Sequence, residues 1–290
     1  MQDGQKVFKI IGAAAAIAVI VLIYNLISIQ STAAKIEARD LVLLGLGAKS
    51  KTQATPTQPA TEPAEITVVL ITDATQKSLV SLSSLVLQLK QMPELKIIAE
   101  KKFEKDSGEA KQLIEKYKIG RIPVVLLQGE AKKSAVLSQN WPKLGTIESD
   151  GTMVFRNIPP IYLEIGTGKL RGETKAVYVS VPDKNEVFDA NVFRQILQAA
   201  FGVNPIEEET ISHDSPEGKA IVSKYGVEKV PTAIISGDLN AYTGFPETWK
   251  QGGSIEPDNS FVFRALDAIR GVKYLDLNKN EVVETPQQGQ

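Results

Sequence analysis

The chain has 290 residues, 43% of them hydrophobic, and its 33 basic residues nearly balance its 34 acidic ones. The length allows about one to three domains, and the balanced charge argues against a nucleic-acid-binding protein, which would carry a basic excess. Cysteine is absent and His213 is the only histidine. Disulfides, thiol catalysis, zinc–thiolate sites and any site that needs two imidazoles are therefore excluded.

An uncharged run of twenty residues occupies positions 10–29, after a short N-terminal tail at 1–9. Because roughly 20 apolar residues cross a bilayer as a helix, we predict a transmembrane helix in contact with membrane lipid. The alternatives are a buried core helix and a cleaved signal peptide, for which residues 31–33 (Ser-Thr-Ala) would be the cleavage motif. The run exceeds the about 7–15 apolar residues of a signal peptide, which favours an uncleaved anchor.

Residues 30–63 join this run to the rest of the chain. An apolar stripe in the first half predicts that the helix continues beyond the membrane, and residues 50–63, rich in Thr, Pro, Gln and Ala, predict an extended linker. Basic residues flank the run on both sides: Lys6, Lys9, Lys35 and Arg39. The charge bias is thus nearly balanced, but such linkers are common outside the cell. We expect a single-pass cell-membrane protein with a cytoplasmic N-terminus and an extracytoplasmic bulk.

The most informative feature is an internal repeat. Residues 106–156 match residues 214–264 at an offset of 108, without a gap and with 16 of 51 positions identical. This period is too long for a solenoid unit and is the size of a small domain. We therefore predict two copies of one fold, at 64–168 and 174–285, followed by a tail at 286–290.

Each copy shows the same order of predicted elements. A first strand, at 66–72 and 176–181, leads to Asp73 or Asp183, each placed to cap the N-terminus of a helix. The later elements are helices at Leu79–Leu89 and Val192–Phe201, strands at 95–100 and 206–211, helices after the Asp-Ser pairs at 106–107 and 214–215, strands after Pro123 and Pro231, hairpin-like segments around Trp141 and Trp249, and strands at 151–156 and 259–264. Strands that alternate with helices indicate an α/β fold with a mixed sheet.

This order resembles the thioredoxin-like fold, because in both repeats a strand, a helix and a second strand precede the pattern Asp-Ser…Lys-Tyr-x-Ile/Val-x-x-Ile/Val-Pro. The resemblance covers both repeats and implies two tandem thioredoxin-like domains with mixed central sheets, preceded by the transmembrane helix. It also implies cis peptide bonds before Pro123 and Pro231.

The same resemblance implies an active-site dithiol just after the first strand, at the start of the first helix. The two cysteines align with Thr75 and Ser78 in the first repeat and with Asn185 and Phe188 in the second. None of these side chains contains sulfur, so thiol–disulfide exchange is impossible. Both copies are therefore predicted to be redox-inactive.

The backbone before the family's cis-proline pairs with a bound extended peptide, and such pairing needs no cysteine. Ile122 and Val230 are thus candidates to present a sheet edge to a partner chain. The alternative is that Pro123 and Pro231 only shape the turn into the next strand.

Other groupings of polar residues are assigned structural roles. His213-Asp214-Ser215 is interpreted as a helix cap, because adjacent residues cannot form a hydrolase triad. Residues 166–169 and 278–280 are predicted as hairpin turns, and the calcium-like pattern from Asp276 departs from the consensus at its sixth and twelfth positions. Two further sets are predicted to serve packing and solvated turns, respectively: Trp141 and Trp249, and Glu148, Asp150, Glu256 and Asp258.

The residues favour a non-catalytic binding or scaffold protein in a cell-envelope assembly, with an unidentified protein partner and no nucleic acid. One alternative is a chaperone-like binder of extended peptides. A second is an enzyme with chemistry unrelated to thiols. No catalytic residue, metal site or cofactor is predicted.

Overall fold

The computed structural model describes residues 62–182 and 187–286, which form two compact units with their boundary between Arg171 and Gly172. This boundary falls between the two predicted domains. The predicted span at 10–29 and the linker lie outside the described residues. Within the described ranges, no helix combines the length and the apolar character needed to cross a bilayer.

The first unit contains eight strands and three helices within its described part. They are β1 (Ala64–Thr72), α1 (Ser83–Lys90), β2 (Leu95–Glu104), α2 (Gly108–Lys116), β3 (Arg121–Ile122), β4 (Val124–Gly129), α3 (Ala135–Leu144), β5 (Gly145–Ile147), β6 (Met153–Phe155), β7 (Tyr162–Glu164) and β8 (Lys169–Arg171).

The second unit repeats this order in its described residues. Its elements are β9 (Thr174–Ser180), α4 (Asn191–Phe201), β10 (Glu207–Ser212), α5 (Pro216–Tyr225), β11 (Lys229–Val230), β12 (Thr232–Gly237), α6 (Phe245–Trp249), β13 (Gly253–Ile255), β14 (Phe261–Phe263), β15 (Lys273–Asp276) and β16 (Glu281–Glu284).

Each unit is built around a mixed five-stranded sheet, in the order β2-β1-β4-β6-β5 in the first and β10-β9-β12-β14-β13 in the second. The pair β1–β2, like its equivalent β9–β10, is parallel, and the other pairs are antiparallel. A separate three-stranded sheet, β3-β7-β8 or β11-β15-β16, follows in each unit. The predicted α/β class with mixed sheets is confirmed, and the arrangement is consistent with two thioredoxin-like domains.

The structure extends the repeat beyond the stretch that the sequences share. Ile66 pairs with Gly129 in the first sheet, and Thr174 pairs with Gly237 at the same offset in the second. The first strands of the two units are therefore equivalent, although their sequences differ. Both carry buried side chains on alternate positions, which is the pattern of a strand with one face in the core.

The serine caps follow from local sequence and are confirmed. Ser107 Oγ accepts a hydrogen bond from the Ala110 amide at 3.2 Å, and Ser215 Oγ accepts one from Gly218 at 3.0 Å. Each satisfies an orphan amide in the first turn of its helix. The His213 ring nitrogen Nδ1 lies 3.3 Å from Ser180 O, and the Ser215 hydroxyl donates to Ser212 O at 2.8 Å, so these two side chains are bonded to backbone and not to each other.

Two predictions of local structure are wrong. The first helix begins at Ser83, and Asp73 closes a turn in the preceding loop; Asp183 lies outside the described residues. Trp141 and Trp249 lie on helices α3 and α6, where a hairpin-like segment was predicted. Their predicted packing role is confirmed, because both indole rings are buried in the cores of their units.

Candidate functional site

The loop after β1 carries the positions where the thioredoxin-like resemblance places a dithiol. Asp73, which is 5% exposed, accepts hydrogen bonds from the Thr75 amide at 3.0 Å and the Thr75 hydroxyl at 2.6 Å. Lys105 Nζ lies 3.7 Å from the other carboxylate oxygen of Asp73. Ser78 lies in the same loop, before α1 begins. The hydroxyl of Thr75 therefore holds a turn together, and the loop has no redox-active group.

In the second unit, Asn185 lies outside the described residues, and Phe188 occupies the segment before α4. Its amide donates to Lys273 O at 2.8 Å, and its ring meets Phe193 edge-on with centroids 5.5 Å apart. The ring thus packs at the margin of the aromatic core. An apolar packing residue stands here in place of a sulfur.

The peptide bonds before Pro123 and Pro231 are both cis, the form that the resemblance implies. The preceding residues, Ile122 and Val230, are fully buried. Each lies in a two-residue strand at the start of the small sheet of its unit. The two prolines therefore occupy equivalent places.

The backbone at these positions is paired within the chain on one side. Ile122 pairs with Leu163 of β7, and Val230 pairs with Leu275 of β15, both antiparallel. The pairing continues one step earlier, where Ile165 donates to the Gly120 carbonyl at 2.9 Å. β7 and β15 thus occupy one side of β3 and of β11, and β3 and β11 are each the last strand of their small sheet. That Ile122 and Val230 present a sheet edge to a partner chain stays a prediction.

In each unit, a cluster of polar side chains links the end of the second helix (α2 or α5) by hydrogen bonds to the turn before β6 or β14. In the first unit the Tyr117 hydroxyl lies 2.8 Å from Asp150 Oδ2 and 3.0 Å from Thr152 Oγ1. Lys116 Nζ donates to the same Asp150 oxygen at 2.7 Å. The second unit reproduces these contacts at 2.8–3.1 Å with Lys224, Tyr225, Asp258 and Ser260.

The cluster sets the charge state of its carboxylate. The hydrogen bond from Lys116, followed by the amide of Thr152, holds the pKa of Asp150 well below its usual range. Lys224 and the Ser260 amide do the same for the pKa of Asp258. Charge-assisted hydrogen bonds favour the ionised form of the acceptor. Both carboxylates are therefore ionised at neutral pH, and their contacts serve to stabilise the fold.

An arginine completes each cluster from the strand side. Arg156 donates to the Tyr117 carbonyl at 2.7 Å, to Thr146 Oγ1 at 2.6 Å and to Glu148 Oε1 at 2.9 Å. Its target Tyr117 O is one of the orphan carbonyls at the end of α2. Arg264 makes the same contacts with Tyr225, Ser254 and Glu256.

This network of lysine, tyrosine, aspartate, glutamate and arginine was not predicted as a unit. The signal was present, because these residues are among the identical positions of the repeat: Lys116/Lys224, Tyr117/Tyr225, Glu148/Glu256, Asp150/Asp258 and Arg156/Arg264. The prediction placed the four carboxylates in a solvated turn. They do lie in the turn before the strand, but in ion pairs.

A cavity of about 290 Å³ lies beside the second network. Its lining includes Arg264 and Lys229, together with Glu228 and Phe263. Arg264 donates to carbonyls at the end of α5 and to Glu256, and Lys229 Nζ lies 2.7 Å from Asp267. Because both cations already have carboxylate partners, the cavity presents no free charge to an anionic ligand.

The calcium-like segment is a hairpin turn, as predicted. Asp276 Oδ1 accepts the amides of Asn278 at 3.0 Å and Lys279 at 3.1 Å, between β15 and β16. The predicted turn at 166–169 also lies between two strands: residues 165–168 join β7 to β8, and Gly168 donates to the Glu164 carbonyl at 2.8 Å.

We predict that acid weakens both units through the aspartates of the network. An aspartate in the unfolded chain has a pKa of about 3.9, and folding lowers the pKa of these two carboxyl groups. Their ionised form therefore stabilises the fold at pH values above about 3.9, and this stabilisation is lost as the pH falls from there through the folded pKa. The thermal unfolding temperature should therefore drop as the pH is lowered below about 4. The thermal unfolding temperature of the double variant Asp150→Asn/Asp258→Asn should be lower than that of the parent at neutral pH, and it should fall less as the pH is lowered.

The control is Glu115→Gln, which changes an exposed carboxylate of α2 that has no ion pair in the described part of the chain. It should leave the acid dependence as in the parent. An unchanged pH profile in the double aspartate variant would contradict the structural role of the network.

Comparison with known proteins identifies no family: no protein-family model matches the chain, and no curated protein matches it. Among solved structures, the NTD_N/C domain of the alkylhydroperoxide reductase AhpF from Enterococcus faecalis is 18% identical, with a TM-score of 0.20, over 61% of this chain and 84% of that one. A mutant of the same reductase is 17% identical, with a TM-score of 0.20, over 60% and 83%. The assignment of the fold therefore rests on the topology of this chain.

Proposed function

We propose that this chain is a redox-inactive, non-catalytic binding or scaffold protein, anchored in the membrane by residues 10–29 and part of a cell-envelope assembly. The observation that carries the proposal is the state of the two cis-proline regions. Hydroxyl or apolar residues stand at the described dithiol positions, and thiol exchange needs two sulfurs. At the same time, β7 and β15 pair with one side of the adjoining strands β3 and β11.

The same observation ranks the alternatives. A chaperone-like binder would hold extended peptides by adding them as a strand to a free edge, and one side of β3 and of β11, the strands assigned to this role, is already paired with β7 or β15. An enzyme with non-thiol chemistry would need a carboxylate or hydroxyl free to act on a substrate. The repeated carboxylates at 148, 150, 256 and 258 are instead held in ion pairs.

The proposal is tested on the tagged full chain in its native cells. We expect the chain in the membrane fraction and, after extraction with mild detergent, one other protein bound to it in a fixed molar ratio. The variant Val19→Arg/Val21→Arg should leave the membrane, because each central arginine costs about 2.5–3.5 kcal/mol on insertion. The matched variant Val19→Ile/Val21→Ile should remain.

Two outcomes would overturn parts of this proposal. A mature chain that begins near Ala34 would show that the apolar run is a cleaved leader. Many bound proteins, each at a low ratio, would favour the chaperone-like alternative over the scaffold.

A further inference from the structure

We propose that copies of this chain associate head to tail through the outer strands of their five-stranded sheets, with β2 of one copy pairing with β10 of the next. The occupant of each edge is thus a second copy of the same chain. This interface goes beyond the proposed scaffold role and does not depend on it.

Both strands have a free edge within the described structure. β2 pairs only with β1, and β10 pairs only with β9, so each is the last strand of its sheet. β2 is ten residues long, and a long outer strand presents a row of unpaired amides and carbonyls that can template another strand. An exposed isoleucine accompanies each edge: Ile98 is 56% exposed and Ile206 is 43% exposed.

The charges of the two edges that have no partner within the described residues are opposite. β2 also carries Glu100, which pairs with Lys90 at 2.9 Å, and Glu104, which accepts the Ala74 amide at 2.7 Å. Lys101 and Lys102 are exposed on β2, and neither has an ion pair within the described residues. β10 begins with three successive glutamates, at 207–209. Glu207 contacts Lys175 and Glu208 contacts Arg194, both within the unit, whereas Glu209 has no ion pair among the described residues.

Charge discriminates among the three ways in which these edges can meet. Pairing β10 with β10 about Glu208 sets glutamates against glutamates. Pairing β2 with β2 about Lys101 sets Lys101 against Lys101, and it sets Lys102 against Glu100, which already has Lys90 as its partner. Like charges directly opposite each other destabilise a strand pair, and opposite charges stabilise it. Pairing β2 with β10 sets lysines that have no ion pair within the described residues opposite glutamates, so charge favours a head-to-tail contact.

The repeat also sets the register. Lys101 pairs with Val69 in the first sheet and Glu209 pairs with Val177 in the second, both at the offset of 108, so an antiparallel pair centred on Lys101 and Glu209 joins the two sheets quasi-symmetrically. In this register Lys102 lies opposite Glu208. Because each copy offers one edge of each kind, the contact is heterologous and generates rings or open arrays.

Cross-linking tests this geometry directly, because the chain has no cysteine of its own. Full-length Lys101→Cys and Glu209→Cys, purified in detergent and carrying tags of different mass, are mixed and oxidised. Directly opposite residues on paired strands bring their Cβ atoms to about 4.5–5.5 Å, close to disulfide distance. We expect a disulfide-linked mixed dimer, and a ladder of higher species from the double variant Lys101→Cys/Glu209→Cys.

Either of two results would overturn the proposal: no mixed dimer under oxidation, or a Lys101→Cys dimer that forms as readily as the mixed one. The second would show that β2 pairs with itself. The segment at 10–29 is the same in all variants, so association through it cannot produce the difference.

Charge reversal gives the matching solution measurement by sedimentation of the full chain in detergent. Lys101→Glu alone and Glu209→Lys alone should each weaken self-association about tenfold, since an attractive cross-strand pair becomes repulsive. An equimolar mixture of the two variants should recover the parental affinity, because each then meets a complementary edge. Lys143→Glu, an exposed reversal on α3, should have no effect. Failure of the mixture to recover association would also overturn the proposal.

Discussion

Replacing Trp141 with alanine is expected to lower the free energy of unfolding of the first unit by about 3–5 kcal/mol. The indole is 1% exposed and lies in the core between α3 and the main sheet, so its removal leaves a cavity that the surroundings fill only in part. Its Nε1 also donates to the Thr146 carbonyl at 3.1 Å. Hydrogen exchange localised by mass spectrometry measures the loss, since it reports each unit separately.

The repeat supplies the control. Trp249 occupies the equivalent position, but its buried Nε1 has no hydrogen-bond partner among the described residues. Trp141→Phe should therefore cost more than Trp249→Phe by about 1 kcal/mol, the net contribution of a typical hydrogen bond. Equal losses in the two phenylalanine variants would show that the Thr146 contact contributes nothing.

Gly145→Ala is expected to destabilise the first unit by about 1–3 kcal/mol, with the upper end favoured because the obstacle is backbone. A Cβ at this position would lie 1.9 Å from the Val154 carbonyl oxygen and 2.9 Å from the Arg156 amide. The backbone of Gly145 is extended, so the cost is purely steric. The variant should open the pairing of β5 with β6 and raise the exchange rates of amides in both strands.

The matched variant is Gly108→Ala, at the first residue of α2, where an added Cβ would meet nothing within 4 Å. It should be neutral or stabilising by up to about 1 kcal/mol, because alanine favours a helix more than glycine does. Unchanged protection of β5 and β6 in Gly145→Ala would contradict the steric argument.

Predictions of local structure that depend only on residues close together in the sequence were confirmed, as the serine caps show. Ser107 and Ser215 bond to amides three residues later, so the local sequence contains everything that the cap needs. The segment around Trp141 was misread as a hairpin. In the structure α3 forms because Leu137, Trp141 and Leu144 bury one face in the core, and such packing overrides weak local preference.

Equivalent positions of the repeat are not interchangeable, for a reason that the alignment does not contain. Ala110 is fully buried in α2, yet at the equivalent Gly218 an added Cβ would lie 1.9 Å from the Ser212 carbonyl oxygen. This short distance arises because α5 packs close to Ser212, at the end of β10. Two residues that match in sequence therefore meet different neighbours.

Two copies of one α/β fold, and the lack of sulfur for redox chemistry, could be predicted without coordinates, because repetition and composition need no knowledge of contacts. Which strands pair with the residues before the two cis-prolines is determined only by the tertiary structure. β7 and β15 lie beyond the region in which the repeats align, and they pair with residues far away in the chain. Strand pairing of this kind is specified by register and burial across long separations, and for that reason these pairings were not visible in local sequence.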